Sequence, residues 1–238
     1  MFGQRHATAT RGRDEGEKPF WISFADLMTA LMVLFLLVMS VALLAVTRTI
    51  SERERLESQR QDAIEQLLGR IEKAAEHQPG VHVDRNRAVI DFGDRARFDT
   101  SSHTLSAEQE RLLRAFVPEV LAIARDKAGR RWLKRIVVEG FTDRRGSYLY
   151  NLNLSLQRSQ RVLCALMARP GPDERAMSRS ELEEVRRLFL VGGYSSNSAR
   201  ESLDASRRIE LRLEFFGVEE PAASAAAGYQ GEFGQCAL

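Results

Sequence analysis

One long apolar stretch constrains this chain more than any other feature of its sequence. From Phe20 to Val46 the only ionisable side chain is Asp26, and no charge occurs between Leu27 and Thr47. About 20 apolar residues are enough to cross the hydrocarbon core of a bilayer as a helix. The stretch therefore predicts a single transmembrane helix over residues 20–47, preceded by a short polar segment over residues 1–19.

A cleaved signal peptide is the main alternative for this stretch. Signal peptides carry an apolar region of roughly 7–15 residues followed by a cleavage site of small residues. The present stretch is longer and ends in Thr47-Arg48 without such a site, which favours a retained helix. Arginines occur on both sides of it, so the positive-inside rule alone leaves the orientation open.

Composition excludes several functional classes. The formal net charge is only +2 although 29% of the residues are charged, so no basic field indicates direct nucleic-acid binding. The sequence contains no glycine-rich phosphate loop, no metal-ligand cluster and no nucleophile–base triad. We therefore expect no enzymatic activity, no cofactor and no metal.

The residues after the membrane stretch predict a helical linker over residues 48–79. Ile64, Leu67, Leu68 and Ile71 recur at helical spacing, and Pro79-Gly80 ends the pattern. This apolar stripe has two possible partners, a second copy of the chain or the domain that follows.

Alternating and amphipathic patterns then predict an α+β domain over residues 80–217, with a tail over 218–238. A hairpin is expected around Arg85-Asn86, and Ser106 is the expected cap of the first domain helix. The remaining expected elements are a buried strand ending near Asp143, a helix from Tyr150, an inserted loop or short helix over 169–186, and strands over 186–194 and 207–216.

Asp26 is the residue that carries the most functional information. A carboxylate in the hydrocarbon region is costly, and such residues usually face a bundle interior or water. Trp21 favours the headgroup level, and Asp26 lies five residues further along, about 7 Å deeper. The alternative is an interfacial acid near a helix N-terminus. Because one helix cannot enclose a pore, an ion-carrying role for Asp26 requires partner chains.

The residues around Asp26 add a resemblance. Trp21 and the run from Phe24 to Thr29 resemble the membrane segment of the B subunits of ion-driven rotary stators, of which flagellar MotB is the best known. The resemblance implies that Asp26 carries the ion and that a dimer of this chain sits inside a pentamer of MotA-like subunits. Thr29 and Ser23 either line the ion path or bond their own helix backbone.

A second, independent motif lies in the predicted α+β domain. Thr142-Asp143, Tyr150-Asn151, Leu154-Ser155 and Arg158 resemble the signature of the OmpA-like peptidoglycan-binding domain, and Ser206 to Leu213 resembles a later strand of that family. The implied fold class is thus a single transmembrane α-helix followed by an α+β OmpA-like peptidoglycan-binding domain.

The same resemblance implies a role for each motif residue. Asp143 accepts from the ammonium of diaminopimelate in the peptide stem, and Arg158 offers its planar fork to the carboxylate. The predicted peptidoglycan-binding set is Asp143, Arg158, Tyr150, Asn151, Leu154 and Arg207. The structural alternative is that Asp143 caps the following turn and pairs with Arg158.

In its compactness and its short linker, this chain resembles the B subunits of Zorya anti-phage defence systems more than it resembles flagellar stator subunits. This resemblance implies a proton-motive-force-driven complex in the bacterial inner membrane, with the N-terminus cytoplasmic, the C-terminal domain periplasmic and cytosolic defence effectors acting indirectly. A flagellar stator subunit, an energy-transducing anchor of the ExbD or TolR type, and a passive envelope tether are the alternatives. Cys164 and Cys236 either pair in an oxidising compartment or remain buried thiols.

Overall fold

The computed structural model describes residues 18–172, 174–220 and 231–236. Most of the predicted N-terminal segment and much of the predicted tail therefore lie outside the described residues. The described elements are α1 (Lys18–Glu76), β1 (His82–Asp84), β2 (Val89–Asp91), a 3₁₀ turn (Gly93–Ala96), α2 (Ala107–Ala124), α3 (Lys127–Trp132), β3 (Leu133–Gly140), α4 (Tyr148–Met167), α5 (Arg179–Leu188), β4 (Phe189–Gly193), α6 (Leu203–Ser206) and β5 (Ile209–Phe215).

The chain divides into two compact units, one ending at Arg55 and the other beginning at Leu56. In the first unit, α1 is long and apolar enough to cross a membrane. Two hydroxyl groups of its apolar stretch bond within the helix, since Ser40 donates to the carbonyl of Leu36 at 2.7 Å and Thr47 to that of Leu43 at 2.8 Å. Such local bonding keeps polar side chains compatible with a bilayer interior, where no water is present to bond them.

The second unit is built on a five-stranded sheet with strand order β1-β2-β5-β3-β4. The predicted hairpin is present as β1 and β2, which pair antiparallel, and β3 pairs parallel with β4 but antiparallel with β5. Gly140 at the end of β3 therefore lies beside both Gly193 at the end of β4 and Ile209 at the start of β5. Segments 141–143, 194–195 and 207–208 consequently emerge at the same edge of the sheet.

Helix α2 begins where its sequence predicts. The Ser106 hydroxyl accepts from the backbone N–H of Gln109 at 3.2 Å, and the Gln109 side chain accepts from the Ser106 N–H at 2.8 Å. This reciprocal capping box satisfies two N–H groups that have no partner inside the helix. Phe116 of α2 then packs edge-on against Phe92 in the core, with ring centroids 5.9 Å apart.

Helix α5 corrects one sequence expectation. Residues 186–188, predicted to begin a strand, form the last turn of α5 instead. A second capping box, between Ser178 and Glu181, starts this helix, and the burial of Val185 and Leu188 keeps it helical as far as β4. The short-helix alternative for part of 169–186 is thus the one the structure contains.

The apolar stripe of the linker packs into the following domain. Ile64, Leu67, Leu68 and Ile71 are at most 7% exposed and belong to the main hydrophobic cluster. Arg60 donates from Nε to the carbonyl of Phe216 at 2.6 Å, which attaches the same helix to the end of β5. The hydrophobic core of the domain therefore begins well before residue 80.

We expect Leu68→Ala to lower the free energy of unfolding of the second unit by about 2–5 kcal/mol, because it removes a side chain that is 3% exposed and leaves a cavity. Leu56→Ala, at a position 40% exposed, is the matched control. The chain has two tryptophans, so in a Trp21→Phe background the fluorescence of buried Trp132 follows urea unfolding of the full chain in detergent. Equal losses for the two variants would contradict the assignment of this helix to the core.

Candidate functional site

Helix α4 lies directly against the sheet edge at which the three segments converge. A Cβ on Gly140 would stand 2.0 Å from the carbonyl oxygen of Ser155, and one on Gly193 would stand 2.8 Å from the backbone nitrogen of Leu156. Only glycine permits such close contact between helix and strands. The buried Ser155 hydroxyl then accepts from the N–H of Ser195 at 3.0 Å, which joins α4 to the end of β4.

Asp143, just beyond β3, is 6% exposed and is held by two arginines. Its carboxylate accepts from Arg145 Nη2 at 2.7 Å and from Arg207 Nη1 at 3.2 Å, and it also accepts from the backbone N–H of Arg145 at 3.0 Å. The hydrogen bond from the Arg145 side chain is the largest cause that lowers the pKa of Asp143 to about 2, against the opposing effect of burial.

The lowered pKa has a definite consequence for pH dependence. Because the folded-state pKa of Asp143 lies below its ordinary value of 3.8, the ionised carboxylate stabilises the fold at every pH above about 4. This contribution is lost as the pH falls toward 2. Asp143 is therefore an anion throughout the physiological range.

Arg158 of α4 is fully buried and donates to three backbone carbonyls. Nε donates to Ser102 at 2.9 Å, Nη1 to Phe141 at 2.7 Å and Nη2 to Asp99 at 3.0 Å. Burial first, and then the positive charge of Arg207, lowers its pKa to about 10, so Arg158 remains a cation at neutral pH. Three of its five N–H groups are occupied, which leaves two for a ligand.

The sequence had left open a structural ion pair between Asp143 and Arg158. In the described part of the chain, the ion-pair partners of Asp143 are Arg145 and Arg207 instead. Arg158 contacts backbone carbonyls, and its guanidinium lies 4.9 Å from the centroid of the Phe98 ring. The turn-capping part of that alternative is present, since Asp143 accepts from the N–H two residues ahead.

The other four predicted residues surround the same small cavity. Asn151 is 3% exposed and donates from its side chain to the carbonyl of Arg145 at 2.8 Å, while Leu154 is buried in the packing of α4. Tyr150 is 48% exposed at the mouth, and Arg207 donates from Nε to the carbonyl of Phe98 at 2.8 Å. The cavity, of about 30 Å³, is lined by Thr100, Ser101, Thr142, Asp143, Arg145, Tyr150, Asn151, Leu154, Arg158 and Arg207.

Arg145 contacts Asp143 in the cleft but is not among the residues predicted from the sequence. A usable signal was present, because an aspartate at the start of a short turn commonly bonds the N–H two residues on. Gly146 has a φ of +90°, a conformation that glycine adopts readily, and it continues that turn into the N-cap of α4 at Ser147. The turn places the Arg145 side chain over the carboxylate of Asp143.

Asp26 belongs to the first unit and lies on an exposed face of α1 in the single chain. The Thr29 hydroxyl donates to the carbonyl of Asp26 at 2.9 Å, so in this structure Thr29 bonds its own helix backbone.

Cys164 and Cys236 form a disulfide with a Cα–Cα distance of 5.8 Å, across 72 residues of sequence. The pairing alternative is therefore the one found, and it attaches residues 231–236 to α4. Within the described residues, no group of three or more potential ligands is arranged to hold a metal ion.

Two family models match the chain. The OmpA family matches residues 97–227, and the model described as "Membrane MotB of proton-channel complex MotA/MotB" matches residues 4–48. The chain thus combines a MotB-type membrane segment with an OmpA-family domain.

A curated relative shows to which family, among proteins with such a membrane segment and domain, the chain belongs. The Zorya protein ZorB of Escherichia coli O139:H28 is 47% identical over 221 residues, covering 92% of this chain and 90% of the relative. The chain belongs to the ZorB family.

Solved structures similar to the chain include periplasmic domains of MotB proteins. The Helicobacter pylori MotB domain has a TM-score of 0.37 at 14% identity, with 55% of this chain and 75% of that chain covered. A MotB-like protein from Desulfovibrio vulgaris has a TM-score of 0.39 at 20% identity, with coverages of 69% and 99%.

Proposed function

We propose that this chain is the peptidoglycan-anchored B subunit of an inner-membrane, proton-motive-force-driven stator-type complex that acts in anti-phage defence. The observation that carries the proposal is the presence, in one chain, of a carboxylate within an apolar helix and of a separate cleft built around Asp143 and Arg158. The 47% identity to a Zorya protein favours defence over motility. No catalytic role is included.

The membrane part of the proposal rests on Asp26. A side chain that is costly in lipid and exposed on an isolated helix needs a protein or aqueous environment to face. A dimer of this chain enclosed by a pentamer of MotA-like subunits supplies that environment. Each Asp26 then takes up and releases a proton as the surrounding subunits move, and cytosolic effectors respond to that movement.

The anchoring part rests on complementary charges in the cleft. Asp143 offers an anionic acceptor for the ammonium group of diaminopimelate, and the two unoccupied N–H groups of Arg158 face the ligand carboxylate. Arg207 supports Asp143, Asn151 holds the turn, Leu154 packs α4, and Tyr150 borders the entrance. Thr29 and Ser23 are secondary candidates for the ion path.

The disulfide supports an orientation with the N-terminus in the cytoplasm and the C-terminal domain in the periplasm. Disulfides persist in the periplasm and are rare in the reducing cytosol. Both cysteines lie in the second unit, so this unit is the one we assign to the periplasm. Peptidoglycan lies in the same compartment.

Asp143→Asn tests the anchor. The substitution keeps an oxygen that can accept from the N–H of Arg145 but removes the charge, and hydrogen bonds to charged groups contribute about 1.5–3 kcal/mol. We therefore expect at least about tenfold weaker co-sedimentation of the full chain with purified sacculi, together with loss of phage restriction in cells carrying the native operon.

Asp62→Asn, at an exposed position of α1, is the control for the same chemical change. Unaltered sacculus binding by Asp143→Asn would contradict the anchor. If the wild-type operon restricts no phage but restores swimming to a stator-deficient strain, the chain is a flagellar subunit.

A further inference from the structure

The Asp143 carboxylate is already occupied in the cleft as it stands. It accepts from the backbone N–H, Nε and Nη2 of Arg145 and from Nη1 of Arg207. A carboxylate has about four lone-pair sites in all. A ligand ammonium that binds Asp143 therefore has to replace one of these donors.

Arg145 is the side chain that closes the cleft. From one side it donates to Asp143, and its Nη2 also reaches Thr100 Oγ1 at 3.2 Å on the opposite loop. That opposite loop is fixed, because Arg158 holds the carbonyls of Asp99 and Ser102. The Arg145 guanidinium thus bridges the two walls of the cavity.

Arg145 is also the most easily displaced of the three arginines in the cleft. Its side chain is 52% exposed, whereas that of Arg207 is 12% exposed and Arg158 is fully buried. Arg207 is further held by the carbonyl of Phe98 and the carboxylate of Asp204. Because the Arg145 side chain is half-exposed, water can take over its hydrogen bonds when it leaves Asp143, and the ligand ammonium can replace its charge on the carboxylate.

We propose that Arg145 is a displaceable gate that competes with the ligand ammonium for Asp143 and so sets the affinity and rate of peptidoglycan binding. This inference rests on the proposed anchoring function and extends it to a residue outside the motif. The ammonium replaces the guanidinium on the Asp143 carboxylate, and Arg145 swings outward while its backbone N–H stays bound to Asp143. The Asn151 contact with the Arg145 carbonyl keeps the turn in place during this exchange.

The positive charge of the arginines in the cleft also indicates which kind of ligand can bind there. Three arginines, Arg145, Arg158 and Arg207, line the cleft or its wall, and in the described part of the chain their ion-pair partners are the carboxylates of Asp143 and Asp204. An added ammonium therefore increases an existing positive excess. A ligand that brings a carboxylate with its ammonium offsets this excess, whereas a simple amine does not. The gate therefore favours zwitterionic groups, such as the free end of diaminopimelate, over lone amines.

Arg145→Gln tests the gate, and Arg144→Gln is its matched control. Arg144 is an exposed neighbour of the same charge, and among the described contacts none joins it to Asp143. Anisotropy of a fluorescein-labelled muropeptide containing meso-diaminopimelate, titrated with the full chain in detergent, gives Kd and the association rate. We expect Arg145→Gln to bind about two- to fivefold tighter with faster association, and Arg144→Gln to match wild type.

The outcomes separate the gate from the anchor. If wild type binds and Arg145→Gln binds equally or more weakly, the gate is wrong while the anchor stands. If neither protein binds, both ideas fail. Binding by Arg145→Gln alone supports the gate, and thermal unfolding of the variants checks that the fold is unchanged.

Discussion

Asp26→Asn should reduce phage protection to the level of cells lacking the operon while leaving sacculus binding unchanged. Asparagine has almost the same shape as aspartate and keeps the helix intact, but it cannot take up and release a proton. Because Asp26 and the Asp143 cleft lie in different compact units, loss of the membrane carboxylate should not alter the cleft. The expected result is a complete functional loss in a fully anchored protein.

Three measurements check this prediction. Plating efficiency reports protection, proton leak in cells that express the chain with its channel partner reports conduction, and co-sedimentation with sacculi reports anchoring. Asp62→Asn is the control, since it makes the same chemical change at an exposed position of α1 that lies outside the apolar stretch. If Asp26→Asn still protects, the chain is a passive tether and the carboxylate is incidental.

Patterns that depend on local chemistry were predictable from the sequence. The apolar stretch, the hairpin and the Ser106 cap each arise from neighbouring residues, and each is present in the structure. The strand before Asp143 was also expected, because the β-branched run from Ile136 to Val138 leads into it. The α+β fold follows from the order of these elements.

Features that depend on three-dimensional proximity were harder to predict from the sequence. The sequence left the partner of the linker stripe open, and only the packing of Leu67 and Leu68 in the domain core identifies it. Pairing of Cys164 with Cys236 requires their Cα atoms to lie within bonding range, which spacing alone does not reveal. The bridge from Arg145 to Thr100 likewise joins two loops that are distant in sequence.

Arg158 has a structural role in addition to the ligand-binding role that we propose for it. The sequence predicts a guanidinium directed at a ligand carboxylate. In the structure the same group also fixes the loop over 99–102 through the carbonyls of Asp99 and Ser102, and it holds the end of β3 through that of Phe141. Arg158 therefore holds the walls of the cleft in place, whether or not it also contacts a ligand.

Arg158→Ala should for this reason lower both stability and binding. It leaves three carbonyl groups without their donor, each at a cost of about 1–3 kcal/mol if no water replaces it, and it opens a cavity beside Phe98. We expect the free energy of unfolding to fall by at least about 3 kcal/mol, measured by urea unfolding followed through Trp132 in the Trp21→Phe background. Arg169→Ala, which removes an exposed arginine, should change it by less than about 0.5 kcal/mol.

Arg158→Lys distinguishes the two purposes of the residue. Lysine keeps the positive charge, but its single ammonium group cannot reproduce the planar fork that reaches all three carbonyls. We expect an intermediate loss of stability together with loss of sacculus binding, whereas Asp143→Asn should lose binding together with the stability that the ionised carboxylate contributes above about pH 4. If Arg158→Ala instead unfolds at the same urea concentration as Arg169→Ala and loses only binding, the loop does not depend on Arg158 and the residue serves the ligand alone.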